Sequence, residues 1–113
     1  MKDKIEYFEN GNIKYKTTYF EDGVVKDEFE YDEEENESLL IATTYFKNGE
    51  IALEIEYYGN GNKKEEFYYH DDETNHIKAR SIYYNDGSIW YDFVYDNNKI
   101  IDTIRYSKDG EKL

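Results

Sequence analysis

Carboxylates are the reactive group this chain holds in excess, and three of them recur at a near-fixed interval. Asp27, Glu65 and Asp102 interrupt an otherwise apolar set of positions, 38 and then 37 residues apart. A carboxylate within a sheet face either accepts hydrogen bonds from cross-strand hydroxyls or receives Lys or Arg from a partner. The register argued below sets Asp27 opposite Thr17 and Thr43, and Glu65 opposite Ser81. Those neighbours fit a polar belt, and the same belt would serve as a groove floor for basic side chains. A denser run of charge spans 27–37, where Asp27, Glu28, Glu30, Asp32, Glu33, Glu34 and Glu35 surround the rings of Phe29 and Tyr31. It reads either as a solvated edge and loop or as an electrostatic landing strip that imitates a phosphate backbone. His70-Asp71-Asp72-Glu73-Thr74-Asn75-His76 is the one cluster of metal-ligand types. Two His six residues apart, without thiols and without EF-hand spacing, read as a polar hairpin loop, and no metal is expected. Trp90 is a candidate binding anchor, as are the ring pairs that close strands.

Catalytic chemistry finds no foothold. There is no Gly-rich phosphate loop and no nucleophile beside a base, and carboxylate pairs are too common among 27 Asp and Glu to signify glycoside chemistry. The sequence predicts no catalytic residue, no cofactor and no enzyme. Its formal charge of -13 repels nucleic acid and anionic lipid and attracts basic surfaces. A protein partner with a basic surface is therefore expected, with neither direct nucleic-acid nor membrane contact. Acidic charge also keeps an aromatic-rich sheet soluble without further purpose. Cys is absent, which removes disulfides and thiol catalysis and fits a reducing compartment. The charged start and the lack of an apolar run of about 20 residues predict a cytoplasmic protein without leader or membrane span.

The elements that position these residues are announced by an echo. Tyr7-Phe8-Glu9-Asn10-Gly11 returns as Tyr19-Phe20-Glu21-Asp22-Gly23, Tyr45-Phe46-Lys47-Asn48-Gly49, Tyr57-Tyr58-Gly59-Asn60-Gly61 and Tyr83-Tyr84-Asn85-Asp86-Gly87, with a worn copy at 106–110. Gly11, Gly49 and Gly87 stand 38 residues apart, so the sequence predicts one domain over 1–113 with units of about 7–44, 45–82 and 83–113. Within the units apolar residues fall on odd positions from Ile5 to Tyr95, alternating with Lys, Glu and Asp. Alternation over about eight residues means half-buried β-strands. Nine are predicted, over 3–8, 12–20, 24–32, 38–46, 50–58, 62–70, 76–84, 88–96 and 99–107, with essentially no helix.

Parity also types the turns. A two-residue hairpin loop would move the apolar set from odd to even, so the loops must be odd in length. Three-residue loops closed by a left-handed Gly satisfy this. Asn97-Asn98 reads as the exception, a two-residue loop, beyond which Ile100, Ile104 and Tyr106 are even. The fold expected is all-β, an up-and-down antiparallel meander that forms a curled single sheet or, alternatively, a closed β-barrel. One apolar face without a helix to cover it must curl, close, or be buried against another chain.

The Tyr-Phe-x-Asn-Gly rhythm followed by a second aromatic strand resembles the MORN-variant repeats of bacterial proteins, including YwqK-like antitoxins, over nearly the whole chain from Tyr7 to Gly110. The chain departs from the usual MORN pattern in spending Gly mainly at turns. The resemblance implies a repeat sheet that neutralises a protein partner, in the manner of an antitoxin or immunity protein. Two further classes fit the composition: a phage or mobile-element inhibitor of anti-CRISPR or anti-defence type that mimics nucleic acid, and a structural self-assembly module or homo-oligomer.

Overall fold

Alternating β-branched or aromatic and charged residues carry the chain, in a computed structural model describing residues 3–32, 39–72 and 74–113, through nine strands. They are β1 (Lys4–Tyr7), β2 (Ile13–Tyr19), β3 (Val25–Tyr31), β4 (Leu39–Tyr45), β5 (Ile51–Tyr57), β6 (Lys63–Tyr69), β7 (Ile77–Tyr83), β8 (Ile89–Asp96) and β9 (Lys99–Arg105). Every strand pairs antiparallel with its neighbours in sequence order, in one sheet that is open at β1 and β9. The barrel alternative is thereby excluded, and no helix occurs among the described residues.

The echo is the turn. At its first occurrence the Gly11 N–H donates to the Phe8 carbonyl at 3.0 Å and the Phe8 N–H to the Asn12 carbonyl at 2.8 Å. Gly11 holds φ 92°, a left-handed value that a side chain resists. The preceding Asn or Asp is selected for another reason. Its side-chain oxygen accepts the N–H two residues on, as Asn10 does from Asn12, Asp22 from Val24 and Asn48 from Glu50. Asn97 and Asn98 both hold positive φ, as a two-residue loop between Asp96 and Lys99 requires.

One expectation fails, and its failure reorganises the molecule. Each strand pair carries a β-bulge near its connection, after one registered pair, or two in β8–β9: Tyr19 faces Val25, but Thr18 then faces Asp27, so Lys26 is extra. Lys14, Leu40, Ala52, Lys64, Lys78, Trp90 and Ile101 occupy the same place in the other strands. A three-residue loop keeps odd residues together only for the pair beside the turn. The bulge adds a second odd step, and past it the odd residues of one strand face even residues of the next. The odd apolar set is therefore split between both faces. Deleting Lys26 should leave Tyr19 opposite Val25 and Thr18 opposite Asp27, and so cost only about 1 kcal/mol. Thermal unfolding checks this: a deletion that abolished the cooperative transition would contradict the bulged register.

Beyond the bulges four cross-strand rows run across the sheet. Two lie on what we term the glutamate face: Glu6, Tyr15, Glu30, Ile41, Glu56, Glu65, Ile82, Tyr91, Arg105, and Lys4, Thr17, Glu28, Thr43, Glu54, Phe67, Arg80, Phe93, Thr103. The others lie on the apolar face: Ile5, Lys16, Phe29, Ala42, Ile55, Glu66, Ser81, Asp92, Ile104, and Thr18, Asp27, Thr44, Leu53, Tyr68, Ala79, Val94, Asp102. The sheet measures 45 × 34 × 17 Å. A single layer of this kind has almost no interior, and among the described residues only Ala42 and Glu66 are buried.

Candidate functional site

The first half of the glutamate face concentrates charge. Glu6, Glu28, Glu30, Glu54, Glu56 and Glu65 project from β1, β3, β5 and β6 on adjacent rows, against Lys4, Arg80 and Arg105. Neighbouring strands lie about 4.8 Å apart and residues i and i+2 of one strand about 6.7 Å, so these carboxylates form a lattice at charge-coupling distance. Glu56 stands directly opposite Glu65, an arrangement that costs stability. Lys4 reaches Glu6 at 3.5 Å and Arg80 pairs with Glu65. Glu28, Glu30, Glu54 and Glu56 have no cation at ion-pair distance among the described residues.

Tyrosine hydroxyls do part of the work of missing counter-charges. Tyr45 donates to Glu28, and Tyr15 to Glu30 at 3.3 Å. Burial, followed by the hydrogen bond to Glu28, pushes the Tyr45 phenol up to about 12. The charge of Glu30 raises that of Tyr15. Burial and then the charges of Glu56 and Glu65 hold the Glu54 carboxyl above the ordinary range. Two open depressions of about 130 and 330 Å³ meet here, sharing Tyr15 and Glu28; Ile41, Thr43 and Tyr45 line the first, Lys4, Glu6 and Thr17 the second.

The second half of the same face is aromatic. Trp90 is the bulge residue of β8 and stacks on Tyr84, centroids 4.9 Å apart and planes at 18°. Tyr91 lies 5.3 Å beyond it and Phe93 5.5 Å from Tyr91. The Arg80 guanidinium then sits 5.7 Å from the Phe93 ring and 5.3 Å from that of Phe67. Burial opposes charge on Arg80, but hydrogen bonds to Tyr95 and Glu65 outweigh it and hold its pKa above the ordinary value. Arg80 is thus the seam between the acidic and aromatic halves.

No protein-family model matches the chain, and no curated protein matches it in sequence. The site therefore stands on its own geometry.

The expected belt of Asp27, Glu65 and Asp102 does not form, because the bulges displace the register by one residue and set Glu65 on the opposite face from Asp27 and Asp102. Asp27 lies on the apolar face opposite Thr18 and Thr44, not Thr17 and Thr43, and accepts from their hydroxyls at 3.1 and 2.9 Å. Glu65 lies on the glutamate face opposite Glu56 and Ile82, not Ser81, which faces Glu66. Asp102 is exposed on the edge strand opposite Val94. Glu28 and Glu30 of the acid run join the glutamate face, Asp32 follows β3, and Glu33, Glu34 and Glu35 lie outside the described residues. His70 and His76 flank their loop, the His70 N–H donating to the His76 carbonyl at 3.0 Å. Among the described residues no group of three or more His, Cys, Asp and Glu is placed to hold a metal.

Glu6, Glu54, Glu56 and Arg80 were not singled out from the sequence. The repeated Glu at i and i+2 in Leu53-Glu54-Ile55-Glu56 was the available signal, hidden because even positions were read as a uniform solvent face.

The most buried charge lies on the other side of the sheet. Glu66 is 3% exposed and accepts from the hydroxyls of Tyr83 and Tyr68, the latter at 2.9 Å, and from Lys63 at 3.3 Å. Burial alone would raise its pKa; the two phenols and the lysine outweigh it and hold the carboxyl below the usual range. Burial and the hydrogen bond to Glu66 push the Tyr68 phenol up to about 12.

Proposed function

We propose that this protein is a non-enzymatic binding protein that captures a protein partner through a basic surface laid on the glutamate face, in the manner of an antitoxin or immunity protein. The observation that carries this reading is the carboxylate lattice of Glu28, Glu30, Glu54 and Glu56, which has no internal cations at ion-pair distance among the described residues. Carboxylates that repel one another cost stability in the free protein, and Lys or Arg from a partner would relieve that cost on binding. The adjoining rings of Trp90, Tyr91 and Phe93 supply flat apolar area of the kind that anchors an interface. The MORN-variant rhythm of the turns is consistent with a repeat sheet serving as scaffold. Absence of Cys fits a cytoplasmic setting.

A second reading is favoured by the regularity of the lattice. Two adjacent rows of carboxylates at strand spacing resemble the repeating charge of a nucleic-acid backbone, and they suit a phage-type inhibitor that occupies a nucleic-acid-binding cleft.

Affinity capture from the source cell's lysate, with mass spectrometry at low and high salt, tests both. A basic protein recovered at low salt and lost at high salt is expected. A toxin-like protein supports the first reading and a nucleic-acid enzyme the second. Recovery of no basic protein at low salt contradicts both.

A further inference from the structure

The glutamate face has an assignment; the apolar face, which carries Phe29, Leu53, Ile55 and Tyr68, has none. The area exposed leaves room for its coverage. A monomer of 13.7 kDa is expected to expose roughly 6,600 Å². This chain exposes 7467 Å², an excess of roughly 900 Å². A standard interface buries about 800 Å² per partner.

We infer that the apolar face packs against the same face of a second copy, giving a two-layer β-sandwich dimer with the glutamate faces outward. Charge selects this face. The glutamate face laid on itself would oppose six carboxylates with six more. On the apolar face three of the four row acids are already bonded within the sheet, Asp27 to Thr18 and Thr44, Glu66 to Tyr68 and Tyr83, and Asp92 to Ser81 at 2.6 Å, while the fourth, Asp102, lies on the edge strand β9.

The rows are also self-complementary. Take a two-fold axis between the sheets, parallel to the strands and passing β5, the central strand of the nine. It lays β2 over β8 of the copy and β3 over β7, at the roughly 10 Å separation of packed sheets. Leu53 and Ile55 then meet their own copies on the axis. The large Phe29 lies over the small Ser81. Lys16, which has no ion pair among the described residues, lies over Asp92, which has none either. Each pairing occurs twice, as an isologous contact requires.

The dimer and the capture of a basic partner respond to salt in opposite directions. Two copies of charge -13 repel, so added salt strengthens self-association and weakens partner binding.

Sedimentation equilibrium at low and high salt, with circular dichroism to confirm folding, tests the inference on the full chain. The wild type is expected to be a dimer that tightens with salt. Leu53→Lys is expected to be monomeric. Lys16→Glu is expected to weaken the dimer about tenfold, and Lys16→Glu with Asp92→Lys to restore it. These last two positions are half-buried and outside the Leu53 row, so the exchange remains informative if Leu53→Lys does not fold. A wild type that stays monomeric at high salt, a dimer untouched by a folded Leu53→Lys variant, or a charge exchange no better than the single change would overturn it.

Discussion

Glu66→Ala should cost about 2–3 kcal/mol at neutral pH, a large effect for one side chain in a sheet with so little interior. The carboxylate is 3% exposed and gathers two phenols and an ammonium from three strand positions, Lys63 and Tyr68 on its own strand and Tyr83 on β7. Removing it leaves those donors without their acceptor, and a donor stripped of a charged partner in a desolvated place costs more than the bond contributed. In the monomer Tyr68 is 37% exposed, so its hydroxyl recovers water there and holds the penalty below that of a fully enclosed network. Glu66→Gln keeps an acceptor and most of the volume and should cost about 1 kcal/mol.

The pH dependence has a definite sign. The folded-state carboxyl titrates below its ordinary 4.5, so its stabilisation is complete above that value and is lost as pH falls through the lowered one. The gap between wild type and Glu66→Ala should accordingly be constant near neutrality and shrink in acid below about pH 4.5. Denaturant unfolding across that range measures it. A gap that widened in acid would contradict the hydrogen-bonded carboxylate.

Arg80→Ala should cost about 2 kcal/mol and tighten capture of a basic partner. The guanidinium touches two ring faces and pairs with Glu65, contributions of about 0.5–1 kcal/mol each at a half-exposed site. Without it Glu65 keeps its place opposite Glu56 with no cation nearby, and two like charges face each other across β5 and β6. Arg80→Lys retains the charge but not the planar stack, and should recover about half of the loss. Because the removed charge was positive, the glutamate face becomes more acidic while the protein becomes less stable. Opposite movements of melting temperature and partner affinity are the expected signature; a loss of both together would mean that Arg80 itself contacts the partner.

The fold was legible because its signals are local. Gly at a left-handed position, Asn or Asp two residues before the bond it accepts, and strict alternation between turns are decided within five or ten residues, and the nine strands follow from them. Asn97-Asn98 was recognisable for the same reason. The faces were not legible, because the bulge at Lys26 and its counterparts leaves no mark of its own: Lys14, Ala52 and Trp90 share one structural place and no chemistry. The candidate site inherited that error. Asp27 and Glu65 looked equivalent at 38 residues' separation, yet the intervening bulges set them on opposite sides of the sheet. Each strand inverts face relative to the last, so Tyr7, Tyr31, Tyr57 and Tyr83 end on one side and Tyr19, Tyr45, Tyr69 and Tyr95 on the other. Of the acids named from sequence, Glu28, Glu30 and Glu65 fall in the lattice beside Glu54 and Glu56.

Under the proposed function, the position of the carboxylates and not the total charge governs partner capture. Two variants with the same reduction in negative charge separate the two. One replaces Glu28, Glu30, Glu54 and Glu56 by Gln; the other replaces the exposed turn and terminal acids Glu9, Glu21 and Glu111 by Gln and Asp71 by Asn. Titration calorimetry of each against the captured basic partner, at fixed ionic strength, is the direct comparison. The first variant is expected to lose binding at least tenfold while the second stays near wild type. Equal losses in both, or a loss confined to the second, would contradict it.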